Sequence, residues 1–204
     1  MKRFVRFGHL LGAFLLALVA IGGGARAADL SEPVILVATS ALDGSPFAQT
    51  VVVAAPIPNG RHIGFIINKP TNLKLATLFP DDVAARRVDE PVYLGGPGLI
   101  QGVFAVTRNV PEGGGTVVPL MPGLFVVIDG AAVDRLIAST PNDARYFMGI
   151  MLWDEDELEE EVSNSAWDIR PADVDTVLRA KSNGLWNSLR APTASIAFGD
   201  REPA

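Results

Sequence analysis

The chain reads as an α+β domain with a largely antiparallel sheet, and three observations carry that reading. Short β-branched and apolar runs recur through its first two thirds, among them VILVA, TVVVAA, HIGFII, PVYL and LFVV. The links between these runs are turns rich in Gly, Pro and Asn, too short for the crossover helices that a parallel sheet requires. Apolar residues at helical spacing gather late, from residue 129 onward. No internal repeat or low-complexity linker divides the chain.

Residues 1–27 stand apart. Lys2, Arg3 and Arg6 open a stretch whose apolar middle, residues 10–21, is followed by Gly22-Gly23-Gly24 and by the small residues of Ala25-Arg26-Ala27. This is the three-part pattern of a cleaved secretory signal peptide, and the apolar part falls short of the ~20 residues that span a bilayer. Cleavage after Ala27 would leave 177 of the 204 residues. That length suits a single domain, expected over residues 28–190, with a patternless and mobile tail at 191–204.

Taken in order, VILVATS from Val34 is a buried strand, and Asp43-Gly44 marks a turn. FAQTVVVAA from Phe47 and HIGFIIN from His62 form a hairpin about Asn59-Gly60; Pro56 and Pro58 lengthen its loop beyond two residues. Pro70 stops the second of these strands, and Leu73, Leu75, Leu78 and Phe79 predict a short buried helix or coil before Pro80. After the polar link at 81–90, PVYL forms a strand broken by Gly95-Gly96-Pro97. GVFAVTR continues the sheet, PEGGG is a flexible loop, and TVVPL is a strand that Pro119 sends to an edge or an end. LFVVID follows, and Asp129 caps a helix whose buried face is Val133, Leu136 and Ile137.

RYFMGIMLW, residues 145–153, is an apolar strand that runs into an acidic helix. Asp154 is the expected N-cap, Glu157 reaches back to its amide, and Trp153 and Leu158 form the hydrophobic staple. Past Trp167, Pro171 fits the first turn of a helix carrying Val174, Val177 and Leu178, and a last short helix holds Leu185, Trp186 and Leu189.

Several of these pieces recur together elsewhere. ILVAT followed by Phe47 and Val51-Val52, then GFIINKP at 64–70, PVYLGGP at 91–97, and Gly64, Phe147, Gly149, Trp153, Leu158, Glu161, Asn164 and Trp167 at their spacings resemble the YqgE/AlgH family of bacterial proteins. The resemblance covers about Pro33 to Arg190. It implies a compact mixed fold with a barrel-like sheet and packed helices. It also implies a biochemistry that is largely undefined, in a family of which one branch is associated with alginate regulation and is labelled a transcriptional regulator. Departures fall on polar positions. Where the family carries a histidine after the Gly-Gly-Pro turn this chain reads VFAVTR, Ala54-Ala55-Pro56 replaces an acidic-histidine pair, Ile150 stands at a tyrosine and Glu157 at a glutamine.

Composition narrows the function classes. The chain has 17 Lys+Arg against 23 Asp+Glu, and losing Lys2, Arg3, Arg6 and Arg26 would take its formal charge from −6 to −10, which opposes binding to a nucleic-acid backbone. Cysteine is absent and His9 leaves with the leader, so a catalytic triad or histidine metal centre would rest on His62 alone, which reads as a surface residue.

Two constellations remain. Asn68, Lys69 and Pro70 with Gly95, Gly96 and Pro97 are two turns that could jointly line a ligand-binding cleft, Lys69 meeting an anion; turn chemistry explains the same residues. Asp154, Glu157 and Glu161 could hold a divalent cation for a metal-assisted hydrolase, while acids in a first helical turn are already favoured by the helix dipole. The expectation is an exported, periplasmic or secreted binding module without catalysis or resident cofactor. It would act on an envelope protein or small ligand, with no nucleic-acid partner and no membrane span once the leader is removed.

Overall fold

The computed structural model describes residues 29–110, 112–178 and 182–190. The expected leader and the expected mobile tail lie outside the described residues.

β1 (Val34–Ala38), β2 (Val51–Ile57) and β3 (Arg61–Ile66) form an antiparallel meander, fully buried along β1. Ile57 pairs with Arg61, so the hairpin loop has three residues, and Asn59 and Gly60 both take positive φ there. Pro56 sits inside β2. It is tolerated because β1 covers β2 only from Val51 to Ala54, leaving Pro56 with β3 alone.

The segment expected to be helix or coil at 73–79 is divided. It begins as β4 (Pro70–Lys74), an edge strand of alternating burial, and only α1 (Leu75–Leu78) is helical. β4 pairs with β5 (Pro91–Leu94). β6 (Gly98–Thr107), β7 (Val117–Met121) and β8 (Leu124–Val127) follow, and Pro119 does lie on the outermost strand of the sheet. α2 (Gly130–Ser139) is capped by Asp129, whose Oδ1 accepts the Ala132 amide at 2.9 Å, and buries Ala132, Val133, Leu136 and Ile137.

β9 (Ala144–Trp153) is the pivot of a ten-stranded curled sheet, eight strands in the order β10-β1-β2-β3-β9-β6-β8-β7 and β4 and β5 joined off that path through β9. After it come α3 (Glu157–Ser163), β10 (Trp167–Pro171), α4 (Val174–Val177) and α5 (Leu185–Arg190). The helix expected from Pro171 is present as α4 but begins three residues later, because Pro171 is the last residue of β10. That proline ends a strand on β1, opposite Val34, and Asp173 caps α4 instead by accepting the Thr176 amide at 2.8 Å.

One edge of β9 is taken by β6 from Ala144 to Ile150; the other is shared by two strands. β5 runs parallel to it at Phe147 and Met148, and β3 runs antiparallel at Met151, Leu152 and Trp153. Gly95 bridges the handover, donating to Met148 O at 2.7 Å and accepting from the Ile66 amide at 2.8 Å. Here the Gly-Gly-Pro turn and Gly149 meet. A Cβ on Gly149 (φ +73) would lie 2.2 Å from Gly96 O, and one on Gly95 would lie 2.3 Å from Gly149 O, closer than any real side chain. The two backbones can pass only because neither carries a side chain there.

The core divides between the faces of this curl. Phe65, Phe104, Tyr93 and Phe147 pack inside it, Phe65 and Phe147 with ring centroids 5.0 Å apart, and α2 seals a second cluster. Trp153, Leu158 and Trp167 anchor a third. Gly64 makes room for that one, since a Cβ there would stand 2.6 Å from Val53 O and 2.9 Å from the Trp153 ring.

Gly149→Ala is expected to cost about 2–4 kcal/mol in urea unfolding, because strain and overlap add. Gly44→Ala, also at positive φ but with nothing within 4 Å, is expected to cost about 1 kcal/mol. Equal losses at the two sites would contradict the crossing as the tighter constraint.

Candidate functional site

The two predicted turns do lie side by side, the Leu94 amide donating to Lys69 O at 2.9 Å. Their polar groups are turned inward on the protein. Asn68 Oδ1 accepts the Val51 amide at 2.8 Å, its Nδ2 donates to Gln49 O at 2.9 Å, and Lys69 Nζ donates to Ala48 O at 3.1 Å. All three bonds fasten the 48–51 stretch. Pro70 opens β4, Gly95 and Gly96 are buried in the crossing, and Pro97 is exposed at its exit.

The acidic residues are employed in a similar way. Glu157 Oε2 accepts the Asp154 amide at 2.9 Å, the reach-back that the spacing predicts. The helix itself starts two residues later than expected. Asp154 O closes a turn onto the Glu157 amide, and Asp156, at φ +64, is the N-cap, without a side-chain hydrogen bond. Glu161 Oε2 accepts both indole N–H groups, from Trp153 at 3.0 Å and from Trp167 at 2.6 Å. Asn164 ends α3, its amide bonding back to Glu160 O and Val162 O. Among the described residues no group of three His, Cys, Asp or Glu stands close enough to share a metal ion.

His62 is buried and not on the surface, at 4% exposure. Alternation along β3 turns it inward beside Trp153, and the segment before β1 covers it, with His62 Nε2 2.9 Å from Leu30 O. A carbonyl only accepts, so Nε2 carries the proton; Nδ1 is buried without a partner.

Sequence reasoning passed over Arg145, Glu90 and Tyr93. Arg145 is 2% exposed within β9, and its Nε and Nη2 reach Glu90 Oε1 at 3.0 and 2.9 Å. Nη2 also donates to Tyr93 Oη at 2.9 Å and Nη1 to Val177 O at 2.8 Å, with the guanidinium 4.1 Å above the Tyr93 ring. Burial raises the Tyr93 phenol above its ordinary pKa, with Arg145 pulling the other way, and burial raises Tyr146 likewise. The signal was available: an arginine inside an apolar strand must find a carboxylate, because an unpaired buried charge is prohibitive. Glu90 and Arg145 line a cavity of about 400 Å³ with Arg108, Asn142, Asp143 and Leu178.

The remaining feature is an apolar surface beyond the crossing. Between Gly98, opposite Ile150, and Val103, opposite Met148, β6 carries extra residues and bulges from β9. Leu99 on that bulge is 62% exposed and Ile100 39%, and across from them Leu152 is 51% exposed. Ile100 Cδ1 comes within 3.1 Å of the Cβ position of Gly149, and Leu152 Cδ1 within 3.8 Å of that of Gly98, so the crossing holds them as one patch.

A family profile described as AlgH-like matches residues 35–193, nearly the whole of this architecture. The chain belongs to the AlgH-like family. Its curated relatives include a UPF0301 protein of Chlorobium phaeobacteroides, 29% identical over 158 residues that cover 75% of this chain and 81% of that one. A UPF0301 protein of Cronobacter sakazakii is 29% identical over 161 residues, 74% of this chain and 85% of its own. The solution structure of the AlgH protein from Pseudomonas aeruginosa superposes with a TM-score of 0.66 at 20% identity, covering 88% of this chain and 100% of that one. Protein DIP2367 from Corynebacterium diphtheriae gives 0.61 at 20% identity, over 82% and 90%. At such identity the solved structures share the fold alone. The AlgH-like fold accounts for Gly64, Gly149, Trp153 and Trp167 as packing positions, and the family's biochemical function is undefined.

Arg145→Ala is expected to cost about 3–5 kcal/mol by leaving the Glu90 carboxylate without its cation. Stability should also fall as pH rises past 10. Unfolded tyrosines ionise near their ordinary pKa of 10.0, whereas burial keeps Tyr93 and Tyr146 protonated to higher pH. Their contribution is whole below that pH and is lost on the way up to the folded values. Urea midpoints measured across that range should flatten in Tyr146→Phe; an unchanged slope would refute the assignment.

Proposed function

We propose that this AlgH-like protein is an exported, non-catalytic binding module of the cell envelope, and that the bulge on β6 is part of its contact surface. The observation that carries this reading is Leu99. A leucine 62% exposed and held at φ +47 is unfavourable twice over, in hydration and in backbone conformation. Asn or Gly would serve the fold better at that φ, so the leucine points to a use outside the fold. Ile100 and Leu152 extend the patch, and the acidic stretch at 154–160 borders it directly after Leu152.

Export rests on the leader pattern at 1–27. The acidic charge and the engagement of Asn68, Lys69, Glu157 and Glu161 in holding the fold also favour contact over chemistry. Among the described residues no helix is long and apolar enough to cross a membrane.

Fractionated cells should yield a chain whose first residue is Ala28, in the periplasm or medium. An intact chain beginning at Met1 and confined to cytosol would overturn the envelope reading. Leu99→Asn should leave thermal stability unchanged or raise it by about 0.5–1 kcal/mol while weakening saturable binding to an envelope fraction. Destabilisation with binding retained would show instead that Leu99 serves the fold.

A further inference from the structure

β6 has a half-open edge. β8 pairs with it only at Ala105, Val106 and Thr107; toward Gly98 the same edge has no strand partner among the described residues. That stretch forms one wall of a cavity of about 480 Å³, with Phe79 and Ile128 on the other side. Gly102 is in the wall, with the Phe104 ring packed 3.0 Å from where its Cβ would stand. A strand edge without a ladder partner beside an apolar floor can accept an added strand, here along residues 101–104, past Leu99 with its positive φ.

The groove is also charged in one sense. A second cavity of about 550 Å³ shares Leu78, Phe79 and Asp134 with the first, so the two are continuous, and it adds Asp81, Asp82 and exposed Val83. Asp82 is engaged in capping the turn at Ala84, its Oδ1 2.7 Å from that amide, which leaves Asp81 and Asp134 to meet a cation. Neither cavity is lined by a Lys or Arg, and the neighbouring guanidinium of Arg86 is turned onto Pro80 O at 3.2 Å.

We propose that this groove receives an extended peptide segment of alternating apolar and Lys/Arg residues, which adds to the open half of β6 as a further strand. The inference rests on the binding-module reading and deepens it by naming the partner's chemistry. In an extended peptide successive side chains point to opposite faces. Apolar residues then fall toward Phe79 and Ile128 while their neighbours turn out to Asp81 and Asp134. Main-chain pairing supplies attachment, and the aspartates select for positive charge and against acidic segments. The groove wall begins at residue 101, within the C-terminal half of the bulge, so Ile100 and the added strand form one continuous surface.

The probe is a synthetic peptide of alternating valine and lysine, with alternating valine and glutamate as its counterpart. Each is titrated into isotope-labelled protein, purified as the cell processes it, and followed by amide shifts. The lysine peptide should shift and protect amides at 101–104 and beside Phe79, and the glutamate peptide should not. Asp81→Lys with Asp134→Lys, both at exposed positions, should weaken the lysine peptide roughly tenfold and admit the glutamate one, with the spectrum otherwise native. Equal binding of both peptides, no binding of either, or shifts at Leu99 and Leu152 without those at 101–104 would each overturn the groove assignment. None of these results bears on export, which the mature N-terminus decides, so failure of the groove and failure of the envelope reading are distinguishable.

Discussion

The architecture depends on one place where two backbones pass without side chains between them. Gly95 and Gly96 leave β5 across the path of Gly149 in β9, each at a separation that a single methyl group would forbid. This contact lets β9 take β5 and then β3 along the same edge, and so lets the sheet curl instead of spreading flat. It also has an outward consequence. β9 advances only from Met148 to Ile150 while β6 covers the distance from Val103 back to Gly98, and the surplus emerges as the bulge that bears Leu99 and Ile100. The constraint that closes the fold thereby sets one of its exposed apolar features.

Around that crossing, charged and polar side chains act as ties between segments distant in the chain. Glu161 draws the two indoles of β9 and β10 onto one carboxylate oxygen. Arg145 joins β9 to β5 through Glu90 and Tyr93, and to α4 through Val177 O. Hydrogen bonds to charged groups contribute roughly 1.5–3 kcal/mol each, and orphaning such a group costs more than the bond contributes. These residues therefore specify which segments meet. His62 belongs to the same class through Leu30 O, although its Nδ1 has no partner and the structure offers no physical account of that.

With these groups engaged inside the molecule, what the described surface offers a partner is shape, exposed apolar area and negative charge. The bulge, the open half of β6 and the aspartates near Phe79 adjoin one another on the surface. On the proposed reading such a surface would recognise an extended chain through main chain and dispersed charge.

Composition and local pattern by themselves determined the α+β class, most of the strands, the Asp129 cap, the reach of Glu157 to Asp154 and the membership signalled by the glycines and tryptophans. Those features depend on neighbours within a few residues or on spacing along the chain. The sequence did not show that Pro171 ends a strand, because β10 exists only where β1 lies beside it, nor that His62 is buried, because its cover is Leu30. The pairing of Arg145 with Glu90, the double use of Glu161 and the open edge of β6 are likewise tertiary facts. The first joins residues 55 positions apart, the second needs β9 and β10 brought to either side of α3, and the third depends on where β8 stops; no local periodicity records where a chain will meet itself.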